Sequence, residues 1–211
     1  MSAIPGRTGL LGAGGQAAEI ADYLSPDVPA FYAVEARFLA ASPGGSIDID
    51  APTTEHTGLP VVVAVGAPLL KQELVARWPG DAYATIVHST AYVAPSASVE
   101  RGCVVAPLAA VGSRSRLGEH VLVNLGATVS HDVVVGAFAS ISPGVHIGGN
   151  CTIGRGSFVG IGATIRNGIG IAPGTVVGAG AVVVSDTVEN GVYAGVPARL
   201  VSIRKEWLRD I

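Results

Sequence analysis

The chain has 211 residues, of which 29 are glycine, 14% are charged and only 5% are aromatic. Its net charge of -3 gives no basic surface for nucleic acid, and no uninterrupted apolar span reaches the ~18 residues of a transmembrane helix. Since a charged-then-apolar signal pattern is also missing at the N-terminus, we expect a cytoplasmic protein with neither nucleic acid nor membrane as partner.

A glycine-rich turn lies between a strand and a helix near the start of the chain. Residues 1–6 are expected to be a loose leader, and residues 8–11 read as a short strand. Residues 12–17 then fit G-x-G-x-x-A, and Ala17, Ile20 and Leu24 follow at helical spacing. Such glycines let the backbone approach a phosphate at a helix N-terminus. The same pattern is also found in turns that only pack a helix on a sheet.

Further strand and helix patterns follow before residue 85. Residues 30–34 read as a second strand with Glu35 at its end, where a ribose-binding carboxylate is expected. Residues 60–66 read as a buried parallel strand and residues 69–78 as its helix, whereas residues 41–58 look like a surface loop. We therefore predict a small Rossmann-like βαβαβ domain over residues 1–85 that could hold one nucleotide.

A six-residue repeat occupies the chain from Val87 to Val183. Every sixth residue of this stretch is Val, Leu or Ile, and the position four residues later is small or β-branched. Such a period fits neither a helix nor an ordinary strand, and it is typical of a parallel β-helix. Three hexapeptides make one 18-residue triangular coil, so we predict a mainly β fold with a β-helix domain over residues 86–186.

The repeat also predicts where other side chains point. Cys103 and Cys151 fall on the inward position four residues after an aliphatic, but on different faces, so we expect two buried thiols. Coils need caps at both ends. The small domain could cap one end, and residues 187–211, with a helix at 202–210, could cap the other.

His131 and Asp132 lie outside the inward positions, so both should be near the surface. The 18-residue column places Gly149 over His131 and Asn150 over Asp132. A carboxylate can orient an imidazole base, and a neighbouring glycine leaves its backbone N–H open to a ligand. The pattern predicts a general base with an oxyanion donor and no metal, although a lone surface histidine has an equally simple explanation as a solvated turn residue.

Four motifs resemble one known family: G-A-G-G at 12–15, A-V-G at 64–66, S-H-D at 130–132 and G-V-Y-A-G-V-P-A-R at 191–199. Together they resemble the sialic-acid O-acetyltransferase family and its nucleotide-sugar N-acetyltransferase relatives of the bacillosamine and perosamine type. The resemblance implies a left-handed β-helix, a homotrimer with sites between neighbouring subunits, and acetyl-CoA as co-substrate. It also implies direct attack of the amino group of a nucleotide-linked amino-sugar on the thioester.

The resemblance assigns roles to particular residues. His131 matches the catalytic base and Asp132 the acid that supports it. The remaining matches are cofactor-binding or substrate-binding: Gly149, Ile161, Ala179 and Ser140 for acetyl-CoA, and Gly14, Gly15, Gln16, Glu35 and Gly66 for the nucleotide-sugar. Three positions depart from many relatives, which carry histidine at Gln16, an aspartate pair at Val34-Glu35, and in some cases a second histidine at Ser140.

Two other functions fit the same residues. The His-Asp pair could serve O-acetylation of a sugar hydroxyl, which needs base assistance even more than an amine does. A non-catalytic nucleotide-binding β-helix scaffold is the alternative outside enzymes.

Overall fold

The computed structural model describes residues 7–24 and 30–210, so the leader expected at residues 1–6 lies outside the described residues. Among the described residues, no helix has the length and apolar character needed to cross a membrane. Within the same ranges, no three His, Cys, Asp or Glu side chains are grouped as a metal ion would require.

The chain begins with a four-stranded parallel sheet in the order β3-β2-β1-β4. Its strands are β1 Gly9–Leu11, β2 Phe31–Val34, β3 Ser46–Asp48 and β4 Val61–Val63. Its helices are α1 Gly15–Tyr23, a 3-10 helix Ala36–Ala41, α2 Thr54–Thr57 and α3 Pro68–Arg77. The Rossmann-like start is confirmed. The predicted loop at 41–58 is only partly irregular, because β3 extends the sheet and α2 begins with a capping box between Thr53 and His56.

The six-residue repeat forms a left-handed β-helix with three flat faces, and each strand pairs in parallel with the third strand after it, one coil further on. Face 1 contains β5 Ile86–Val87, β8 Val104–Val105, β11 Leu122–Val123, β14 Ser140–Ile141, β17 Phe158–Val159 and β20 Val176–Val177. Face 2 contains β6 Tyr92–Val93, β9 Ala110–Val111, β12 Thr128–Val129, β15 His146–Ile147, β18 Thr164–Ile165 and β21 Val182–Val183. Face 3 contains β7 Ser98–Val99, β10 Arg116–Leu117, β13 Val134–Val135, β16 Thr152–Ile153 and β19 Gly170–Ile171.

Turns join the faces along three edges. We call the edge between faces 1 and 2 the first edge, that between faces 2 and 3 the second edge, and that between faces 3 and 1 the third edge. The aliphatic and small positions of the repeat form one continuous core between the faces. Cys103 and Cys151 belong to this core and lie before strands of faces 1 and 3, so the predicted inward positions are confirmed.

The N-terminal sheet unit packs on the outer surface of face 1. Ile86, Val104 and Leu122 point away from the prism and form a cluster with residues of β1, α1 and β4, including Leu10 and Ile20. This apolar contact stabilises the position of the glycine-rich turn relative to the coils. Face 1 is therefore covered over its first coils, whereas faces 2 and 3 have no such cover among the described residues.

The C-terminal segment contains a strand where we expected a helix. After β22 Gly191–Ala194, the chain turns back as β23 Arg199–Ile203, antiparallel to β22, and the predicted helix at 202–210 is wrong. The reason is tertiary: the backbone of β23 pairs with β22, the Trp207 ring lies against Gly156 and Gly174, and the Leu208 carbonyl accepts the N–H of Leu69 at 3.0 Å. These partners override a local helical pattern.

Lys71 of α3 joins the N-terminal unit to two coils. Its side chain is 1% exposed, and its Nζ donates hydrogen bonds to the carbonyl oxygens of His120 at 3.2 Å and Ala139 at 3.0 Å. Burial lowers the pKa of Lys71 to about 7, and nearby Cys103 opposes this shift. Because the ordinary pKa is 10.5, the unfolded chain binds more protons than the folded protein between pH 7 and 10.5.

We therefore expect the free energy of unfolding to rise between pH 7 and 8.5, by at most about 1.4 kcal/mol per pH unit from this group. Lys71→Met should remove this slope, whereas Lys205→Met, at an exposed lysine, should keep it. Urea unfolding at fixed protein concentration measures the slope. An equal slope in the Lys71→Met protein would contradict the assignment.

Candidate active site

His131 and Asp132 form a turn on the second edge, directly after β12. Asp132 has a φ of 58°, and its Oδ2 lies 2.7 Å from Nδ1 of His131. The His131 side chain is 51% exposed, so the imidazole is open to a ligand. The structure thus brings the two predicted catalytic residues into direct contact.

Arg114 completes this pair and was missed from the sequence. It lies one coil before Asp132, and its Nε and a terminal nitrogen each donate to a carboxylate oxygen at 2.7 Å. The guanidinium, and then the imidazole, hold the pKa of the Asp132 carboxyl below its ordinary value. The column rule that placed Gly149 over His131 could have found this arginine, because Arg114 lies one 18-residue coil before Asp132.

The ion pair determines which nitrogen of His131 is basic. An ionised carboxylate only accepts hydrogen bonds, so Nδ1 of the neutral imidazole carries the proton. Nε2 then has the free lone pair. Asp132, fixed by Arg114, therefore holds His131 in the tautomer that a general base requires.

Gly149 lies beneath the imidazole, as the column rule predicted. A β-carbon at this position would be 2.6 Å from Cε1 and 2.7 Å from Nε2 of His131, so only glycine leaves room for the ring. Asn150 donates its N–H to the His131 carbonyl at 3.0 Å, which keeps the two coils in register. Gly149 is buried beneath the ring, and in the described part of the chain its N–H has no hydrogen-bond acceptor, so this donor is left for a ligand.

A cavity of about 210 Å³ lies between the N-terminal unit and the first edge. Four of the predicted site residues line it: Gln16, Gly66, Ser140 and Ile161. Asn124, which the sequence analysis did not predict, also lines it. The Asn124 amide donates to Gln16 Oε1 at 3.1 Å, and the Ser140 hydroxyl donates to the Gly66 carbonyl at 2.5 Å. Ser140, predicted for the cofactor, is thus placed with predicted substrate residues.

A second cavity, of about 360 Å³, opens at the carboxyl ends of β1, β2 and β4. Gly14 and Glu35 line it together with mainly apolar side chains such as Phe38. The Glu35 carboxylate pairs with Arg37 at 2.9 Å and Arg77 at 3.4 Å. Gly15 begins α1, is exposed and lines neither cavity.

The predicted cofactor residues divide between two edges. Ile161 and Ala179 occupy successive coils of the first edge, where both are exposed and the N–H of Gly180 bonds the Ile161 carbonyl at 2.8 Å. Gly149 lies on the second edge with His131. Face 2 separates these edges, so a single chain does not bring together His131 and the predicted cofactor groove.

Among the solved structures that resemble this chain over nearly its full length are the following three. PerB from Caulobacter crescentus, in complex with CoA and GDP-perosamine, is 30% identical, with 96% of this chain and 100% of that chain covered at a TM-score of 0.83. A mutant of the perosamine N-acetyltransferase from the same organism has one histidine replaced by asparagine. It is 27% identical to this chain, with 96% of this chain and 99% of that chain covered at a TM-score of 0.81. The acetyltransferase domain of PglB from Neisseria gonorrhoeae, in complex with acetyl coenzyme A, is 29% identical. The match covers 92% of this chain and 98% of that chain at a TM-score of 0.74.

No protein-family model and no curated protein sequence matches the chain. The fold and these structures define a left-handed β-helix acyltransferase. More closely, the chain belongs to the hexapeptide-repeat family of nucleotide-sugar N-acetyltransferases, and the family resemblance is confirmed.

Proposed function

We propose that this enzyme transfers an acetyl group from acetyl-CoA to the amino group of a nucleotide-linked amino-sugar. The observation that carries the proposal is the Arg114–Asp132–His131 arrangement over Gly149, whose N–H has no acceptor among the described residues. Relatives of similar length that are in complex with CoA and GDP-perosamine support the same pair of substrates.

The geometry supports a direct transfer. The sugar amine attacks the thioester carbonyl carbon while His131 Nε2 takes a proton from the nitrogen. The carbonyl oxygen gains negative charge, and the unpaired N–H of Gly149 is the donor to stabilise it. Collapse of the tetrahedral species expels the CoA thiolate, which receives the proton from the imidazolium. The ionised Asp132 stabilises that imidazolium between the two proton transfers.

The two cavities fit the two parts of a nucleotide-sugar. The larger cavity, with Gly14 and the carboxylate of Glu35 at the strand ends, suits the nucleoside. The smaller cavity, where Gln16 and Asn124 present amide groups, suits the sugar. The groove along Ile161 and Ala179 is the proposed path of CoA.

A homotrimer would complete the site. The outward residues of face 2 include no Lys, Arg, Asp or Glu: Tyr92, Ala110, Thr128, His146, Thr164 and Val182. Cyclic closure around face 2 would place the second edge of one subunit beside the first edge of the next. His131 of one chain would then face the cavity of its neighbour, which supports three sites between subunits.

The decisive experiment supplies acetyl-CoA with UDP-, GDP- and dTDP-linked 4-amino sugars and with their hydroxyl analogues. Acetylation of an amino sugar, detected by mass spectrometry, is the expected result. Transfer only to a hydroxyl would establish O-acetylation. No transfer, together with no rise in melting temperature at acetyl-CoA concentrations well above micromolar, would indicate a non-catalytic scaffold.

Mixed trimers test the location of the site between chains. His131→Ala and Asn124→Ala should each be nearly inactive alone, yet an equal mixture should recover activity. In random assembly each of the two chains at a site supplies its intact residue in half of the cases, so about one quarter of wild-type activity is expected. Recovery should appear only after subunits are exchanged by co-expression. A co-expressed mixture that stays inactive would contradict a site shared between subunits.

A further inference from the structure

Arg166 lies on the same edge as the base, nearer the C-terminal end of the prism. We propose that its guanidinium binds the diphosphate of CoA. The assignment depends on the proposed use of acetyl-CoA, and it adds a phosphate-binding residue to that site.

The coil register places Arg166 in line with the base. It follows β18 at the second edge, one coil after Gly148 and two coils after Ser130, the neighbour of His131. Two coil steps of about 4.8 Å, or about 10 Å in total, therefore separate Arg166 from the level of the histidine. The imidazole leans over Gly149 and thus toward the coil that carries Arg166.

On the coil between His131 and Arg166, two glycines followed by Asn150 form the turn at this edge. Gly148 and Gly149 are adjacent glycines, and a β-carbon on Gly148 would lie 2.2 Å from Oδ1 and 2.6 Å from the backbone nitrogen of Asn167. The Asn167 side chain thus lies over Gly148, and a chain that runs along this edge from the thioester at His131 meets Asn167 and then Arg166. In acetyl-CoA the uncharged pantetheine arm joins the thioester to the diphosphate, so the diphosphate is the first charged group along the molecule from the thioester.

The charge of Arg166 is not neutralised by the protein. Its side chain is exposed and forms no ion pair with any residue in the described ranges. Arg114, on the same edge, is fully engaged by Asp132. A planar guanidinium with free donors suits bidentate binding of phosphate oxygens.

The diphosphate of the nucleotide-sugar is the other anion in the reaction, and we expect it near the cavities of the N-terminal unit. The N-terminal unit packs on face 1 over Ile86, Val104 and Leu122, on early coils. Arg166 lies two coils beyond Leu122, on the coil of Phe158, and on a different edge of the same chain. Substitutions of Arg166 should therefore weaken the binding of acetyl-CoA and leave the binding of the nucleotide-sugar unchanged.

Binding of CoA alone, measured by calorimetry on the intact protein without the acceptor, tests the assignment. Arg166→Ala is expected to raise the Kd of CoA about tenfold, and Arg166→Lys by less, because the charge remains. Arg116→Ala removes an equally exposed arginine from the outer surface of face 3 and should change the Kd less than twofold. An unchanged Kd in Arg166→Ala would overturn the proposal, even if the enzyme acetylates amino sugars as proposed.

Three acetyl donors locate the contact. In steady-state assays the KM penalty of Arg166→Ala should be the same for acetyl-CoA and for acetyl-dephospho-CoA, which lacks the 3′-phosphate, and should disappear for S-acetylpantetheine, which has no phosphate. A penalty that disappears with acetyl-dephospho-CoA would overturn the diphosphate assignment, as would an increase in the KM of the nucleotide-sugar. If wild-type protein binds CoA through Arg166 but transfers no acetyl group, the proposed function fails while this contact stands.

Discussion

His131→Ala is expected to lower kcat for acetyl transfer by about 10²–10⁴, the usual loss when a general base is removed. The KM values for both substrates should change little, because the amine is activated only as it attacks. The physical basis is the lone pair on Nε2 of the neutral imidazole, which Asp132, held by Arg114, orients by accepting the hydrogen bond of Nδ1. Initial rates at saturating acetyl-CoA measure the effect.

The fold should survive this change. The His131 side chain is half exposed, and its truncation leaves the core positions on either side, Val129 and Val133, in place. Melting temperature, oligomer mass and CoA affinity should therefore match the wild type. His88→Ala, which alters a histidine that contacts Thr90 and the Tyr23 ring, should retain at least half of the activity. A His131→Ala enzyme at wild-type rate would remove the base from the mechanism.

Much of this site could be predicted because a coil of constant length converts sequence spacing into spatial position. With no insertion between Val87 and Val183, a step of three hexapeptides moves one coil along the same edge. That rule alone placed Gly149 over His131 and Ile161 beside Ala179, and both placements agree with the structure. The same rule also places Arg114 next to Asp132. This arginine was missed because the prediction used only the coil after the His131-Asp132 pair and not the coil before it.

Contacts between the repeat and the rest of the chain have no such rule. Asn124 meets Gln16 across 108 residues, and Lys71 reaches the His120 carbonyl across 49. These pairs depend on how the N-terminal unit packs on face 1, which is decided by apolar contacts rather than by spacing. The C-terminal strand β23 is a similar case, since its pairing with β22 determines its conformation against the local helical pattern.

Neighbouring glycines of one turn should respond to alanine in opposite ways. In Gly148→Ala, the new β-carbon would meet the Asn167 backbone nitrogen at 2.6 Å as well as its side chain, so the coil itself must shift and the free energy of unfolding should fall. In Gly149→Ala, the new β-carbon would meet only the imidazole of His131 among its three nearest atoms. A side chain can rotate away where a backbone cannot, so Gly149→Ala should keep nearly the wild-type melting temperature.

Gly149→Ala is expected to lower kcat by about 10²-fold or more, because it displaces the base from the reacting nitrogen and crowds the oxyanion donor. Gly44→Ala is the matched control, since a β-carbon there meets nothing within 4 Å, and it should leave kcat unchanged. The double variant His131→Ala/Gly149→Ala separates the two causes. If the glycine acts only by making room for the imidazole, its substitution should cost almost nothing once the ring is gone. A remaining loss in the double variant measures the contribution of the Gly149 N–H itself, whereas wild-type kcat in Gly149→Ala would contradict both roles.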